Sequence, residues 1–449
     1  MDLLDLSARQ LADALRRGES TVEAHLARVF DRIDRLDSYY QAFSHLRTED
    51  ARVDAARLDA VPSHERGHLP LFGVPVAIKE EMAVAGMITT LGTRANTTPA
   101  PEDSEVVARL RRAGAVIVGK THMPEFGQVP FTDGPWGATR NPFDGERSPG
   151  GSSGGSAVAV ATGMVPVALG GDGGGSVRIP AAWTGLVGIK PTRGLVPTAP
   201  LPDLWFKLGT YGPLARDVDD VALLLDLIGP PSTPTSPTPD RLRVGWTLQA
   251  SVPGFTPDPE LAQAVEHAAR LLATAGHDVH RGTLRYGASP TAFLAQCWLG
   301  IDAEVKRMEH PELLEQRSGQ VEGLARRLPR FALQRSLRTT DRIEAAMRRV
   351  FQHLDVLVTP VTPQLPPTTP ILHDKDTLTS QRTSTSVVSY TSFWNMAGNP
   401  AASVPLGLST EGLPLAVQII GAHGRDHLVL DVARQLVTTL TPVDRGVRR

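Results

Sequence analysis

The stretch SPGGSSGGSAVAVATGMVPVALGGDGGGSVRIPAAWTGLVGIKPT, residues 148–192, is the most informative part of this chain. Glycine and serine are exceptionally frequent throughout the surrounding residues 134–195. Glycine loses more backbone entropy on ordering than any other residue and brings no side chain to a core, so this region cannot be one regular packed helix or strand. We therefore expect loops whose ordering serves chemistry.

Short strand-like runs lie on both sides of this region. FGVPVAI at 72–78 and AVIVG at 115–119 precede it, while RLRVGW at 241–246 and DVLVTP at 355–360 follow it. Helical or turn-rich stretches separate these runs. This alternation is typical of an α/β protein with a central sheet.

The N-terminal residues carry helix-start signals. Ser7 with Gln10, and Ser20 with Glu23, each fit a capping box ahead of apolar residues at helical spacing. The pattern predicts helices across residues 7–60.

The second half begins after PPSTPTSPTPD at 230–240, whose composition predicts a surface linker within the domain. Asp258 and Pro259 suit the cap and first turn of a helix. Further helices are expected within 289–354, a segment without a chemical motif whose simplest role is a lid or packing layer. A final strand and helix are expected around 413–440.

Composition excludes several functional classes. The 449 residues have a formal net charge of only -2, which provides no broad attraction for nucleic acid or an anionic membrane. The first twenty residues lack a cationic start followed by an apolar run, and no span has about 18 uninterrupted apolar residues. We expect a cytoplasmic protein with a small-molecule partner. The single cysteine, Cys297, lies in an apolar run that favours packing over reactivity.

Lysine usage points to one residue in particular. Only six of the 46 basic residues are lysines, and one of them, Lys79, directly follows a strand-like run. Arginine stays charged in proteins, whereas a lysine amine can be made neutral and act as a base. Lys190, in GIKPT, is expected to pack its stem and cap a turn.

Two familiar motifs occur in unsuitable contexts. GAVIVGKT at 114–121 matches a phosphate-binding loop with Lys120 in the phosphate-contacting place, but the residues that should form the loop read as a buried strand. His64, Glu65 and His68 satisfy HExxH, but prolines and a glycine crowd this segment and oppose a helix. We expect no metal and no cofactor.

The run GGSSGGS at 150–156 imitates the nucleophile elbow of α/β-hydrolases, around either Ser152 or Ser153. That elbow needs a strand immediately before the serine, and TRNPFDGERSP at 139–149 reads as turns and loop. An α/β-hydrolase that uses one of these serines with a histidine nevertheless stays an alternative.

Taken together, these segments resemble one enzyme family. GVPVAIK at 73–79, the Gly/Ser run and GDGGGSVRIPA at 171–181 are similar to the amidase signature family of serine hydrolases. The opening helices, GPLARDVDDVALLLDLI at 212–228 and WNMAGNPAASVPLGL at 394–408 extend the resemblance over most of the chain. It implies a single α/β domain, residues 1–449, with a large mixed central sheet covered by helices and a signature core at about 72–195.

The resemblance also implies a catalytic set and a reaction. The nucleophile falls on Ser176, a bridging serine with a cis peptide bond on Ser152, and the base on Lys79. Ser153 is implied as a hydrogen-bond partner beside the lysine. The implied activity is hydrolysis of a carboxamide C–N bond through an acyl-serine intermediate.

The loop before the nucleophile suits the same chemistry. Gly173, Gly174, Gly175 and Ser176 offer four successive backbone amides with little side-chain obstruction, and we predict that they form the oxyanion hole. Asp172 and Arg178 flank the loop with opposite charges and are predicted to pair and hold its shape.

Several matters stay open in the sequence. Four large side chains are candidates for the walls of an acyl pocket but could equally be core residues: Met123, Phe126, Trp136 and Trp394. The substrate, the acceptance of esters and the oligomeric state, with a homodimer among the options, are undetermined. A glutaminase-type subunit of a multi-chain amidotransferase is a further alternative, because the same family includes such subunits.

Overall fold

A computed structural model describes residues 2–201, 203–230, 238–287, 289–369 and 371–438. Within these residues, strand-forming segments rich in apolar side chains give thirteen strands: β1 (Phe43–Leu46), β2 (Pro75–Lys79), β3 (Val116–Thr121), β4 (Asp133–Gly134), β5 (Gly137–Ala138), β6 (Val167–Asp172), β7 (Val187–Lys190), β8 (Thr210–Ala215), β9 (Arg243–Trp246), β10 (Asp278–Arg281), β11 (Val356–Pro360), β12 (Ala401–Leu408) and β13 (Pro414–Gly421).

The same residues contain fourteen α-helices: α1 (Ala8–Arg16), α2 (Val22–Tyr40), α3 (Thr48–Asp59), α4 (Glu105–Arg112), α5 (Gly154–Ala161), α6 (Arg178–Trp183), α7 (Val218–Ile228), α8 (Pro259–Thr274), α9 (Ser289–Val305), α10 (Gln316–Arg327), α11 (Ala332–Val350), α12 (Thr377–Val387), α13 (Ser392–Ala397) and α14 (Asp426–Thr438). No helix in the described ranges is both long and apolar enough to cross a bilayer.

Eleven strands form one mixed sheet in the order β1-β3-β2-β6-β8-β7-β12-β13-β11-β9-β10, and β4 pairs with β5 separately. Strand β2 is parallel to both β3 and β6, whereas β6 and β8 are antiparallel. The carboxyl ends of parallel strands meet at one edge of a sheet, where α/β proteins commonly bind ligands. Lys79 ends β2 and Asp172 ends β6, so the sheet brings both residues to that edge. The expected α/β fold with a large mixed sheet is confirmed.

The helix-start predictions hold in part. Ser7 and Gln10 form the capping box of α1, as expected. The second box is wrong by one residue, because α2 is capped by Thr21, whose side chain accepts from the amide of Ala24. The predicted helical region 7–60 is also interrupted by β1, a four-residue strand.

The second half follows its patterns more closely. Asp258 caps α8 and Pro259 occupies its first turn. Helices α9, α10 and α11 occupy the predicted 289–354 region, and β13 and α14 the C-terminal one. Most of the predicted linker 230–240 lies outside the described residues. Three elements before β13 were missed by sequence reasoning, namely α12, α13 and β12.

Helix α5 positions the glycine-rich region. Its sequence GGSAVAVA is buried on all sides, which is the pattern of a helix inside a core. The helix packs against β2 and β6 and begins directly after the serine pair. Ser152 and Ser153 are thereby held at the sheet edge where β2 and β6 end.

Candidate active site

Lys79 lies at the centre of the site and is 1% exposed. Its Nζ is 2.8 Å from Ser152 Oγ and donates to the carbonyl of Gly171 at 3.2 Å. Glu81 Oε1 lies 3.3 Å from the same nitrogen. Burial lowers the pKa of the lysine amine, while the carboxylates of Glu81 and Asp172 oppose that shift. The geometry thus provides an amine in contact with a serine hydroxyl and biased towards its neutral form.

Ser152 follows a cis peptide bond from Gly151. A side chain at Gly151 would have its Cβ only 2.6 Å from the backbone of Phe131, so the close approach requires glycine. Thr132 fastens this turn on both sides, since its hydroxyl donates to the carbonyl of Gly150 and accepts from the amide of Gly154. No sequence motif indicated Thr132. Loop precedes Ser152, as the sequence predicts, whereas a nucleophile elbow would need a strand there.

Ser153 makes no hydrogen bond to the lysine, in contrast to the implied Lys79–Ser153 hydrogen bond. Its Oγ donates to the carbonyl of Gly171 at 3.2 Å and accepts from the amide of the same glycine at 3.3 Å. The carbonyl of Gly171 is shared with Lys79 because all three residues converge where β2 and β6 end. The amide of Ser153 also donates to the carbonyl of Ser176, which links the two serine loops.

The loop that carries Ser176 is shaped by Asp172. Its carboxylate accepts from the amide of Gly175 at 2.8 Å and from that of Val177 at 3.1 Å. Gly175 has φ +130°, and a Cβ there would lie 2.4 Å from Thr391 Oγ1, so both the backbone conformation and the available space require glycine. The turn consequently presents Ser176 to the cavity that Lys79 and Ser152 also line.

A buried ion pair anchors that turn. Arg178 NH2 lies 2.9 Å from Asp172 Oδ1, and both side chains are fully buried. Burial alone would raise the pKa of the Asp172 carboxyl, but the guanidinium and the Asn395 amide hold it well below its usual range. Arg178 also donates to Asn395 and Gln418, both at 2.6 Å. Asn395 lies within the WNMAGN segment, but no role for it or for Gln418 was predicted from the sequence.

The predicted set of oxyanion-hole amides needs one correction. The amide of Gly175 is already donated to Asp172 and cannot also bind an oxyanion. Within the described residues the amides of Gly173, Gly174 and Ser176 have no hydrogen-bond acceptor. Three of the four predicted amides, those of Gly173, Gly174 and Ser176, therefore stay available.

Ser176 lines two cavities that differ in size and in the polarity of their walls. The smaller, about 40 Å³, is lined by Lys79, Glu81 and Ser152 on its polar side. The larger, about 220 Å³, has no charged residue in its wall. Trp205 borders both cavities, and the other large apolar side chains around the larger one come mainly from α9: Phe293, Leu294, Trp298 and Ile301. Helix α9 thus covers the apolar cavity, in agreement with the lid interpretation.

The four candidate wall residues have different surroundings. Phe126 lines the smaller cavity. Trp394 packs in a separate core cluster with Phe351. Met123 is buried behind the site, and Trp136 stacks on His122. Sequence reasoning missed the aromatic residues of α9 because their apolar pattern also fits ordinary core.

The remaining chemically suggestive residues are placed elsewhere. Lys120 lies in β3 and pairs with Glu80. The segment that matches a phosphate-binding loop is therefore largely a strand, as expected. His64 and His68 are exposed on turns and a short 3-10 helix. Buried Lys190 donates to the carbonyl of Pro191. Cys297 lines the larger cavity, where burial raises the pKa of its thiol.

Comparison with known proteins identifies the family of this chain. The Amidase family profile matches residues 24–430. The chain belongs to the amidase signature family and is an amide-hydrolysing enzyme.

Individual relatives agree. "Putative amidase AmiB2" of Mycobacterium tuberculosis is 40% identical, over 96% of this chain and 94% of that protein. The 6-aminohexanoate-cyclic-dimer hydrolase of Paenarthrobacter ureafaciens is 34% identical over 95% of this chain and 96% of the relative. A solved structure of 6-aminohexanoate cyclic dimer hydrolase with substrate superimposes with a TM-score of 0.89 at 31% identity, covering 100% of this chain and 99% of that one.

Proposed function

We propose that this amidase cleaves the C–N bond of a carboxamide through an acyl-enzyme on Ser176, with Ser152 as proton bridge and Lys79 as base. The observation that carries the proposal is the contact of 2.8 Å between Lys79 Nζ and Ser152 Oγ inside a buried cavity that Ser176 also lines. A serine hydroxyl is a weak nucleophile until a base accepts its proton. A buried amine biased towards neutrality supplies that base.

The reaction follows from this arrangement. Ser176 Oγ attacks the carbonyl carbon, and its proton passes through Ser152 to Lys79. The resulting oxyanion is held by the free amides of Gly173, Gly174 and Ser176. The proton then returns through Ser152 to the amide nitrogen, the C–N bond breaks and the amine leaves. Water deacylates the enzyme by the same proton path, releasing the carboxylic acid and restoring Ser176.

The two cavities support an assignment of the two halves of the substrate. The leaving nitrogen must approach Ser152 to receive its proton, so the amine half belongs on the side of the smaller cavity. The acyl half then occupies the larger cavity, whose wall is uncharged and mainly apolar, with hydroxyl and amide side chains from α12 such as Thr377, Ser380 and Gln381. This favours amides of uncharged, apolar acids. The relative named for a cyclic amide dimer is consistent with an uncharged acyl group.

The nucleophile can be tested directly. A fluorophosphonate probe followed by peptide mapping should label the fragment that contains GDGGGSVR. Ser176→Ala should abolish both labelling and turnover, with thermal unfolding nearly unchanged because loss of one hydroxyl leaves no large cavity. Ser152→Ala should slow labelling without abolishing it. Label on Ser152 or Ser153, with Ser176→Ala still reactive, would refute the assignment.

A further inference from the structure

Glu81 is a charged residue of the site to which the proposed reaction gives no task. It lines the smaller cavity together with Lys79, Ser152 and Ser176. Its side chain is 18% exposed, and Oε1 is buried without a hydrogen bond to any described residue. Lys79 Nζ, 3.3 Å away, is its ion-pair partner, so a neutral lysine leaves a partly buried carboxylate without a cation and favours the approach of another donor.

The position of the carboxylate is fixed from two sides. Oε1 lies 3.3 Å from Lys79 Nζ. It also rests against the backbone of Gly171, where a Cβ would come within 1.6 Å of it. Since the same lysine nitrogen is 2.8 Å from Ser152 Oγ, the carboxylate lies within about 6 Å of the hydroxyl that is to protonate the leaving nitrogen.

The charges around this cavity favour a cation. Asp172 is neutralised by Arg178, and Glu304 on α9, which faces Glu81, is paired with Arg307. When Lys79 is neutral, as the proposed mechanism requires, Glu81 is left without a cation in the described part of the site. Glu81 lines the smaller cavity and is absent from the wall of the larger one, so its charge lies on the side proposed for the amine half of a substrate.

We propose that Glu81 binds an ammonium group carried by the leaving amine, so that the enzyme prefers amides between an apolar acid and a short diamine. This rests on the proposed function, because that function places the amine half beside Ser152. Because the carboxylate and the Ser152 hydroxyl are at most about 6 Å apart, only a short spacer between the scissile nitrogen and the ammonium lets one amine reach both groups. A bound ammonium would also replace Lys79 as the partner of Glu81, which favours the neutral lysine.

An isosteric pair of substrates tests this preference. N-(2-aminoethyl)phenylacetamide and N-propylphenylacetamide share an acyl group and differ chiefly in the terminal charge. The wild type should favour the charged amide in kcat/KM by about tenfold or more, the range of a charge-assisted pair in a partly buried site. Glu81→Gln should bring the ratio close to one. The matched control Glu304→Gln removes a nearby charge that does not line the cavity, and it should retain the preference.

The possible failures are distinguishable. A wild-type ratio near one overturns the inference without recourse to any variant, even if Glu81→Gln does not fold. Equal slowing of both substrates in Glu81→Gln, with a shift of the pH profile, also overturns it and makes Glu81 a residue that only adjusts Lys79. Absence of turnover with both amides and with phenylacetamide contradicts the proposed function instead.

Discussion

The ion pair between Asp172 and Arg178 allows a quantitative prediction. Asp172→Asn removes the charge but keeps the shape, so Arg178 stays buried without its carboxylate partner. The two carboxylate oxygens accept from three backbone amides, from the guanidinium at 2.9 and 3.0 Å and from Asn395 at 2.9 Å, and the substitution replaces one of these oxygens by a donor. Breaking one side of a buried pair typically costs about 3–5 kcal/mol, and we expect a loss of that size in the free energy of unfolding.

Urea unfolding monitored by tryptophan fluorescence measures this loss in the free energy of unfolding. Asp355→Asn is the matched control, because Asp355 also pairs with an arginine at 2.9 Å, but Arg243 is 47% exposed there. An exposed pair contributes about 1 kcal/mol or less. Asp172→Asn should additionally reduce turnover, since its carboxylate orders the turn before Ser176. Equal unfolding free energies in the two variants, or full activity in Asp172→Asn, would refute the reasoning.

Three further predictions concern the lysines and the rejected metal motif. Activity should fall on acidification as Lys79 becomes protonated, and Lys79→Arg should be nearly as damaging as Lys79→Ala in steady-state assays, because a guanidinium cannot accept the proton. Burial and the nearby Arg178 lower the pKa of Lys190 to about 7. Above that pH the folded state binds fewer protons than the unfolded state, so the free energy of unfolding rises with pH. Lys190→Met should flatten this rise when it is measured by urea unfolding at pH 7–10. Dialysis against a strong chelator should leave turnover intact, whereas loss of turnover restored by zinc would reinstate the motif at His64 and His68.

Local sequence signals carried the secondary structure well where the pattern was long or strongly punctuated. Asp258 and Pro259 correctly predicted the start of α8. The apolar run at 115–119 was correctly predicted to be a strand although it lies within a phosphate-loop motif, and the observed β3 covers Val116–Thr121. Short helices and strands without capping signals could not be predicted from local sequence. Helix α13 and strand β12 lie inside WNMAGNPAASVPLGL, where glycine, asparagine and proline suggest loop as readily as regular structure.

The hydrogen-bond partners of the site residues were harder to predict from the sequence. Ser153 was implied to bond Lys79 and instead bonds the backbone of Gly171, because the fold of the turn decides which acceptor its hydroxyl reaches. Gly175 was expected to offer its amide to an oxyanion, yet Asp172 already accepts it. Both errors concern the orientation of one polar group, the Ser153 hydroxyl or the Gly175 amide. Residue type and spacing along the chain do not specify such an orientation.

By itself the sequence determined the chemical inventory: a lysine at a strand end, paired serines and a glycine-rich turn before a third serine, in an order that marks the family. Only the tertiary structure decided how these groups act on one another. Lys79 and Ser152 are 73 residues apart in the chain and meet because β2, β6 and α5 converge at one sheet edge. The lowered pKa of the lysine, the mainly apolar cavity beneath α9 and the placement of the Glu81 carboxylate beside Lys79 all arise from burial and juxtaposition. These depend on contacts between distant segments rather than on any local pattern.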